Sequence, residues 1–325
     1  MSHPFHIVDV FAQQRYTGNQ LAVVRGAGDL SDREMQQVAA EMNYSETTFI
    51  ESEERSPGGY PVRIFTSETE LPFAGHPTLG TAHVLREAVL GDDSEAERVI
   101  PLSLGVGEVP VTIERGAEGD NGEEERFWMR QPDPFFGEWI DPGLATGVLS
   151  LEEDDLDPEF APRVVSTGLP TLVVPLRSIE AVRQARIDDA NYRELLDSTD
   201  AGLVLGVCAE TDHPENDLHV RVFAEAHGVS EDPATGSANG CLAAYLARER
   251  YFGSSIVEAR VEQGYELDRP SLLLLRASDA MSTADRGQNP AIEERDGGEG
   301  RNEEGSEVEV RVGGRVIPVA EGELL

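Results

Sequence analysis

One glutamate, at the start of an apolar segment, is the residue of this chain that is best suited to proton chemistry. Glu46 lies in NYSETTF, residues 43–49. A carboxyl group that is partly removed from water has a raised pKa, so it can accept and return a proton near neutral pH. A solvated acid at a strand edge is the alternative, because the chain contains 62 acidic residues. At the equivalent place in the second half, near Gly202, there is no carboxylate, so Glu46 would act as a single acid and base.

Two glycine-containing turns are the second candidate feature. They read HPTLGTA at residues 76–82 and DPATGSA at 232–238, and small apolar residues typical of a buried helix follow each. A helix N-terminus presents unpaired N–H groups and the positive end of the helix dipole. Two such ends, which we place at Gly80-Thr81 and Gly236-Ser237, would form an anion pocket if they face one cleft. Three hydroxyl residues would either cap these helices or contact a ligand: Thr81, Thr235 and Ser237.

The turns belong to a set of three weak repeats that occur twice in the same order. Residues 18–24 (GNQLAVV) resemble 168–174 (GLPTLVV), and residues 62–65 (VRIF) resemble 220–223 (VRVF). Ordered repeats of this kind indicate duplicated halves.

The length of 325 residues also fits two domains. We predict an N-terminal lobe over residues 1–120 and a C-terminal lobe over 121–325, with C-terminal strands that could complete the N-terminal lobe.

Each half must place its turn between strands and a buried helix. In the first half, a helix starts at Ser31, which forms a capping box with Glu34. Alternating or apolar runs predict strands at residues 7–11, 21–24, 47–50 and 62–65. Two segments rich in glycine and acids, 116–126 and about 278–306, are predicted to be mobile surface loops.

Composition excludes several classes of function. The net charge of −36 argues against nucleic-acid and anionic-membrane partners, and no apolar run approaches the 18 residues of a membrane span. All 26 basic residues are Arg, so Schiff-base chemistry, a pyridoxal phosphate anchor and a P-loop are excluded. Acids spread over nearly every segment favour a halophilic, cytoplasmic protein, and Cys208 and Cys241 are expected to be buried free thiols.

Neither a metal nor a nucleotide cofactor is expected. His76 has no partners at metal-ligand spacing, and GVGEVP at residues 105–110 lacks the third glycine of a dinucleotide fingerprint. The alternative role for His76 is structural, as a histidine at the start of a helix whose ring hydrogen-bonds to the backbone.

Three long motifs resemble the signatures of the PhzF (phenazine-biosynthesis) family: NYSETTF at residues 43–49, ELPFAGHPTLG at 70–80 and EDPATGSA at 231–238. The opening and closing segments, 9–11 and 313–316, are also similar to family members. The resemblance spans nearly the whole chain. It implies an α+β fold like that of diaminopimelate epimerase, in which two pseudo-symmetric lobes each wrap a sheet around a central helix.

Carried over by position, the resemblance implies that Glu46 is the catalytic acid and base and that His76 and Asp232 help to bind and orient the substrate. It further implies a cofactor-independent isomerase, a small carboxylated substrate and a homodimer. The motif residues expected to contact the substrate are Asn19, Ser45, Gly75, Thr235, Gly236 and Ser237.

Two alternatives remain open. Epimerases of the same fold carry a cysteine at each glycine turn, and this chain has none there, which disfavours a two-thiol mechanism. A non-catalytic protein that binds a small molecule in the same cleft would not need Glu46.

Overall fold

The computed structural model describes residues 2–91, 98–115, 124–279 and 308–325. The strands within these ranges are β1 (His3–Val10), β2 (Asn19–Arg25), β3 (Thr47–Ile50), β4 (Tyr60–Phe65), β5 (Glu70–Leu71), β6 (Val99–Leu104), β7 (Gly107–Arg115), β8 (Glu125–Arg130), β9 (Phe135–Trp139), β10 (Arg163–Ser166), β11 (Pro170–Pro175), β12 (Leu203–Cys208), β13 (Leu218–Ala224), β14 (Val229–Asp232), β15 (Ile256–Gln263), β16 (Ser271–Asp279), β17 (Val308–Gly314) and β18 (Val316–Leu324). The α-helices are α1 (Asp32–Met42), α2 (Gly75–Leu85), α3 (Pro142–Val148), α4 (Ile179–Gln184), α5 (Asp189–Ser198) and α6 (Gly236–Glu249). A π-helical turn, Arg86–Leu90, extends α2.

The strand pairing repeats itself in the two halves. The first half pairs in the order β18, β1, β2, β3, β4, β6, β7, β8. The second half pairs in the order β9, β10, β11, β12, β13, β15, β16, β17. The sequence of parallel and antiparallel pairs is the same in the two halves. Strand β5 forms a short hairpin with β4, and β14 forms the same hairpin with β13. The predicted duplicated α+β fold is therefore confirmed.

Two features connect the halves. Strand β8 pairs with β17, and β18 at the C-terminal end of the chain pairs with β1. The C-terminal strand thus lies in the N-terminal sheet. Strand β8 pairs with β7 although it follows residue 120, and the lobe boundary at that residue stays a prediction.

Each half surrounds one buried helix. Helix α2 packs against β1, β2, β3, β6, β7, β8 and β18, and α6 packs against β10, β11, β15, β16 and β17. Residues 76–85 of α2 and 236–247 of α6 are all buried. A helix that is apolar on all sides is stable only inside a core, which explains the small apolar residues after each turn.

The helix that the sequence predicts from Ser31 is present as α1. Helix α1 buries Met35 and Ala39, and its N-terminus carries the predicted capping box of Ser31 and Glu34.

The predicted ends of the two acidic loops are wrong where the structure describes them. Glu125 and Arg126 begin β8, and Ser278 lies in β16, where it pairs with Ile256. Strand pairing accepts these polar residues because one face of the strand remains outside the core. The remainder of both segments, 116–123 and 280–306, lies outside the described residues.

Gly80 lies inside α2, where a side chain would collide with β1 and β2. A Cβ atom there would lie 2.5 Å from Cδ2 of Leu21 and 2.9 Å from Cγ2 of Val10. We predict that Gly80→Ala lowers the free energy of unfolding by about 1 kcal/mol, because the cost of overpacking exceeds the usual gain in helix propensity. Denaturant unfolding checks this, with Ala40→Gly on the exposed face of α1 as the measure of propensity alone. A more stable Gly80→Ala protein would contradict the close packing.

Candidate active site

The N-termini of the two buried helices meet. Helix α2 begins at Gly75 and α6 begins at Gly236. A Cβ atom on Gly75 would lie 3.4 Å from the Cα atom of Gly236, so the two backbones approach closely. The prediction that the first helix begins at Gly80-Thr81 is wrong. Pro77 lies within the first turn of α2, where a residue without an N–H group is tolerated. This proline is the sequence signal that indicates the true start of the helix.

Two of the three hydroxyl groups near these ends, those of Thr81 and Thr235, hydrogen-bond to other side chains, and Ser237 is the second residue of α6. Thr81 lies inside α2 and its Oγ1 donates to Oγ1 of Thr48 at 2.8 Å. Thr235 occupies the N-cap position of α6, yet its Oγ1 donates to Oδ2 of Asp232 at 2.5 Å. Ala74 at the N-cap of α2 has no side-chain acceptor. The first-turn N–H groups of both helices are therefore not capped by the side chain of the N-cap residue, which leaves them open to an anion.

Glu46 lies immediately before β3, and burial changes its acidity. The side chain of Glu46 is 16% exposed to solvent. Its removal from water is the larger cause, and the nearby charge of Asp232 the smaller cause, of a pKa that is raised to about 8. Oε2 of Glu46 makes no hydrogen bond among the described residues. The preceding residue, Ser45, is half-buried. The partly desolvated acid that the sequence predicts is present, and most of it is neutral at pH 7.

His76 is the second residue of α2 and is neutral. Burial lowers its pKa to about 3. Its Nε2 lies 3.4 Å from Oε2 of Glu46, beyond a normal hydrogen bond, and makes none with any described residue. Two buried polar atoms without partners thus face each other, as expected at a site that a ligand completes.

Asp232 and Asn19 join the two halves at the site. The Nδ2 of Asn19 donates to Oδ1 of Asp232 at 2.9 Å and to the carbonyl of Ala234 at 3.0 Å, and it lies 3.4 Å from Nδ1 of His76. Removal from water raises the pKa of Asp232, whereas the hydrogen bonds from Thr235 and Asn19 oppose this rise. Because Asp232 has donors and Glu46 Oε2 has none, we assign the negative charge of the pair to Asp232.

No sequence motif indicates the groups that hold the loop around Asp232 in place. Gln263, at the end of β15, donates from Nε2 to the carbonyl of Asp232 at 2.7 Å, and its Oε1 accepts from Nδ2 of Asn239 at 2.8 Å. Its Oε1 also accepts from the backbone N–H of Thr235 at 3.2 Å. A single buried glutamine in a strand matches no sequence motif, so its role could not be predicted.

A partly buried ion pair, Arg269 with Asp9, holds the chain segment that leads to Asn19. Arg269 donates from Nη2 to Oδ1 of Asp9 at 2.7 Å and to the carbonyl of Thr17 at 2.8 Å. Its Nε donates to the carbonyl of Gly18 at 2.9 Å. The sequence analysis missed this role because the partners are about 250 residues apart.

The site is not symmetric. Ala22 of β2 pairs with Thr47, and Leu172, its repeat counterpart in β11, pairs with Val204. The counterpart of Glu46 in the second half is therefore Leu203, a buried apolar residue. One half supplies Glu46, and the other half supplies Asp232.

A separate cluster surrounds His219. Its Nδ1 lies 3.1 Å from Oε2 of Glu262 and its Nε2 lies 3.0 Å from Oε1 of Glu266. Burial alone would lower the pKa of His219, but these two hydrogen bonds raise it to about 9. Asp212, His219 and Glu262 are close enough to hold a metal ion, yet the oxygens of Glu262 already accept from Asn216 and two backbone N–H groups. The geometry favours an ion-pair network that fastens β13 to β15.

Both cysteines lie away from the helix ends. Cys208 lies in β12, and burial raises its pKa to about 12. Cys241 lies inside α6, where its Sγ accepts from the backbone N–H of Thr167 at 3.3 Å. Neither thiol is placed for proton transfer at the cleft.

We predict that neither thiol reacts with a thiol reagent in the folded protein. A buried thiol with a raised pKa forms almost no thiolate at pH 8. Titration with a chromogenic disulfide checks this, and the unfolded chain should release the signal of 2 thiols. Rapid reaction of one thiol in the folded state would contradict the burial.

Comparison with known proteins identifies the family. The family model for PhzC-PhzF, phenazine biosynthesis-like protein, matches residues 8–293. The trans-2,3-dihydro-3-hydroxyanthranilate isomerase of Pseudomonas aeruginosa is 35% identical over 280 residues, which cover 86% of this chain and 91% of that protein.

Two solved structures share the fold along their whole length. The PhzF-family phenazine biosynthesis protein of Bacillus anthracis has a TM-score of 0.82 at 25% identity and covers 100% of this chain and 99% of its own. A predicted epimerase of Pseudomonas aeruginosa has a TM-score of 0.73 at 33% identity and covers 99% of both chains.

No helix in the described ranges is long and apolar enough to cross a membrane. The chain belongs to the phenazine biosynthesis-like (PhzC-PhzF) family of isomerases.

Proposed function

We propose that this chain is a cofactor-independent isomerase that moves a proton between two carbons of a small carboxylated substrate, with Glu46 as the acid and base. The observation that carries the proposal is the state of Glu46. It is a buried acid with a pKa of about 8 and an unpartnered Oε2, in a site to which both halves contribute.

The meeting helix ends supply the anchor. The N–H groups at Gly75 and Gly236 would bind the substrate carboxylate, because helix N-termini favour anions. When a proton leaves a carbon conjugated to that carboxylate, negative charge develops on its oxygens. Fixed N–H dipoles stabilise this charge without reorganisation.

Glu46 performs both proton transfers. Its ionised form removes a proton from one carbon, and the same carboxyl group returns it to another. The pKa of about 8 keeps acid and base forms close in energy near neutral pH.

His76 and Asp232 bind and orient the substrate. The neutral imidazole offers Nε2 to a polar group of the substrate, and Asp232, held by Asn19, accepts from a hydroxyl or amino group. Ser45, Gly75, Thr235, Gly236 and Ser237 complete the proposed pocket.

The relatives suggest a first substrate to test. Because a relative that covers most of the chain is named a trans-2,3-dihydro-3-hydroxyanthranilate isomerase, we propose a carboxylated ring substrate of that class. The homodimer, the cytoplasmic location and the adaptation to high salt remain predictions.

An epimerase is the second candidate, since one similar structure is titled a predicted epimerase. A two-base epimerase needs an acid or thiol on each face of the substrate carbon. Leu203 stands where the second half would place the counterpart of Glu46, and this favours the single-acid proton shift.

We predict that Glu46→Gln abolishes activity while the protein still folds. An amide keeps the size of the side chain but cannot accept the proton, so the rate should fall by a factor of about 100 to 10,000. The measurement is deuterium incorporation from solvent into trans-2,3-dihydro-3-hydroxyanthranilate. Glu41→Gln, the same change on the exposed face of α1, serves as the control and should retain full exchange. Undiminished exchange in Glu46→Gln would refute the assignment.

The pH dependence tests the pair of carboxyl groups. We predict that kcat/KM rises with pH with a midpoint near 8 and then levels off, because Glu46 must be ionised to act as the base. Asp232→Asn removes the second cause of the raised pKa, so the midpoint should move to lower pH, while burial still keeps it above 4.5.

The control for this experiment is Asp189→Asn, which removes an exposed carboxylate in α5 and should leave the midpoint unchanged. A midpoint that stays in place, or rises, in Asp232→Asn would show that Asp232 does not set the acidity of Glu46.

A further inference from the structure

The side-chain amide of Gln263 makes four hydrogen bonds, to the loop that carries Asp232 and to α6. Its Oε1 accepts from the backbone N–H of Thr235 at 3.2 Å and from Nδ2 of Asn239 at 2.8 Å. Its Nε2 donates to the carbonyl of Asp232 at 2.7 Å and to Oγ1 of Thr235 at 3.1 Å. Gln263 is fully buried, so water does not compete for these bonds.

Two main-chain groups fix which way round this amide lies. A backbone N–H group can only donate a hydrogen bond, and a carbonyl can only accept one. The N–H of Thr235 therefore requires Oε1, and the carbonyl of Asp232 requires Nε2. With the amide in this orientation, Nε2 faces the hydroxyl of Thr235 and donates to it. The proton of that hydroxyl is then left for a second partner.

The hydroxyl proton of Thr235 points to Asp232. Oγ1 of Thr235 lies 2.5 Å from Oδ2 of Asp232, a distance typical of a hydroxyl that donates to a charged oxygen. Oδ1 of Asp232 accepts from Nδ2 of Asn19, and a main-chain carbonyl, that of Ala234, orients this second amide. A proton on either oxygen of Asp232 would meet the hydrogen of a donor, so the arrangement favours the ionised carboxylate.

The charged groups around the loop give Asp232 no other partner. Among the described residues no arginine pairs with it, because Arg221 of β13 binds Glu231 at 2.7 Å and Arg269 binds Asp9 at 2.7 Å. Burial, and after it the charge of Glu231, raise the pKa of Asp232. The other titratable side chains of the segments that contact the loop are Glu46, the neutral His76 and Glu262, which pairs with His219. The ionised form of Asp232 therefore depends on its neutral donors.

The first half has no amide at the equivalent place. Strand β6 pairs with β4 in the same register as β15 with β13, which places Leu104 where the second half has Gln263. Leu104 is buried and apolar. The amide thus accompanies Asp232 in one half and is replaced in the other, which ties its role to that carboxylate and not to the duplicated fold.

We propose that Gln263 is a positioning residue that keeps Asp232 ionised by turning the hydroxyl proton of Thr235 toward it. The consequence for catalysis rests on the proposed function, in which the ionised Asp232 accepts a hydrogen bond from the substrate and favours the protonated form of Glu46. The orientation of the hydroxyl is a property of the free protein and can be tested without substrate.

The test is infrared difference spectroscopy of the full chain with isotopically labelled aspartate. The protonated-carboxyl band that Asp232→Asn removes reports the protonation of Asp232. Gln263→Met should raise the pH midpoint of this band by about one unit, because a protonated Asp232 can then donate to the hydroxyl oxygen that Gln263 otherwise occupies. Gln184→Met, the same change at an exposed position of α4, should leave the midpoint unchanged.

Variants of Thr235 show whether Gln263 acts through the hydroxyl. Thr235→Val removes the donor and should also raise the midpoint, whereas Thr235→Ser keeps the hydroxyl and should retain the original midpoint. In the Thr235→Val background, Gln263→Met should cause no further rise. Thr235→Val alone still tests the proposal if Gln263→Met does not fold.

A purely structural role for Gln263 predicts the opposite shift. Loosening the loop would admit water and lower the midpoint, since burial is the first cause of the raised pKa of Asp232. An unchanged or lower midpoint in Gln263→Met or Thr235→Val, or an equal effect of Gln263→Met with and without the hydroxyl, would overturn the proposal. Failure of the proposed function would appear separately, as undiminished exchange in Glu46→Gln.

Discussion

The structure depends on the meeting of two buried helices at their N-termini. Two positive dipole ends repel each other, and Gly75 and Gly236 bring these ends into van der Waals contact. Negative charge at this junction relieves the repulsion. Asp232 provides part of it from the loop before α6, and a substrate carboxylate can provide the rest. Anion binding is therefore a property of the helix arrangement, and the acid chemistry is built beside it.

Duplication explains the architecture, and loss of symmetry explains the chemistry. Both halves repeat the same order and direction of strand pairing around one buried helix, so each presents a helix end to the same junction. The acid appears once, because Leu203 takes the place that Glu46 has in the first half. The ionised partner, Asp232, comes from the opposite half. A single proton carrier next to a fixed negative charge suits the return of one proton to a different carbon.

Much of this arrangement was predictable from the sequence. Repeats with a common order indicated the duplication, and the small apolar residues after each turn indicated the buried helices. The sequence misplaces the start of α2 because Gly80 resembles a turn glycine, whereas packing against Leu21 and Val10 requires a residue without a side chain there. Contacts between distant parts of the chain, such as Arg269 with Asp9 or Gln263 with the loop at Asp232, were not predictable, since single polar residues carry no pattern of their own.

Burial keeps Glu46 protonated near neutral pH, and its Oε2 atom has no hydrogen-bond partner in the part of the chain that the structure describes. Infrared difference spectroscopy of the protein with isotopically labelled glutamate measures this directly. We expect a protonated-carboxyl band that persists at pH 7, disappears with a midpoint near 8 and is absent from the Glu46→Gln protein. Loss of that band with a midpoint near 4.5, the ordinary pKa of glutamate, would show that burial does not keep Glu46 protonated at pH 7.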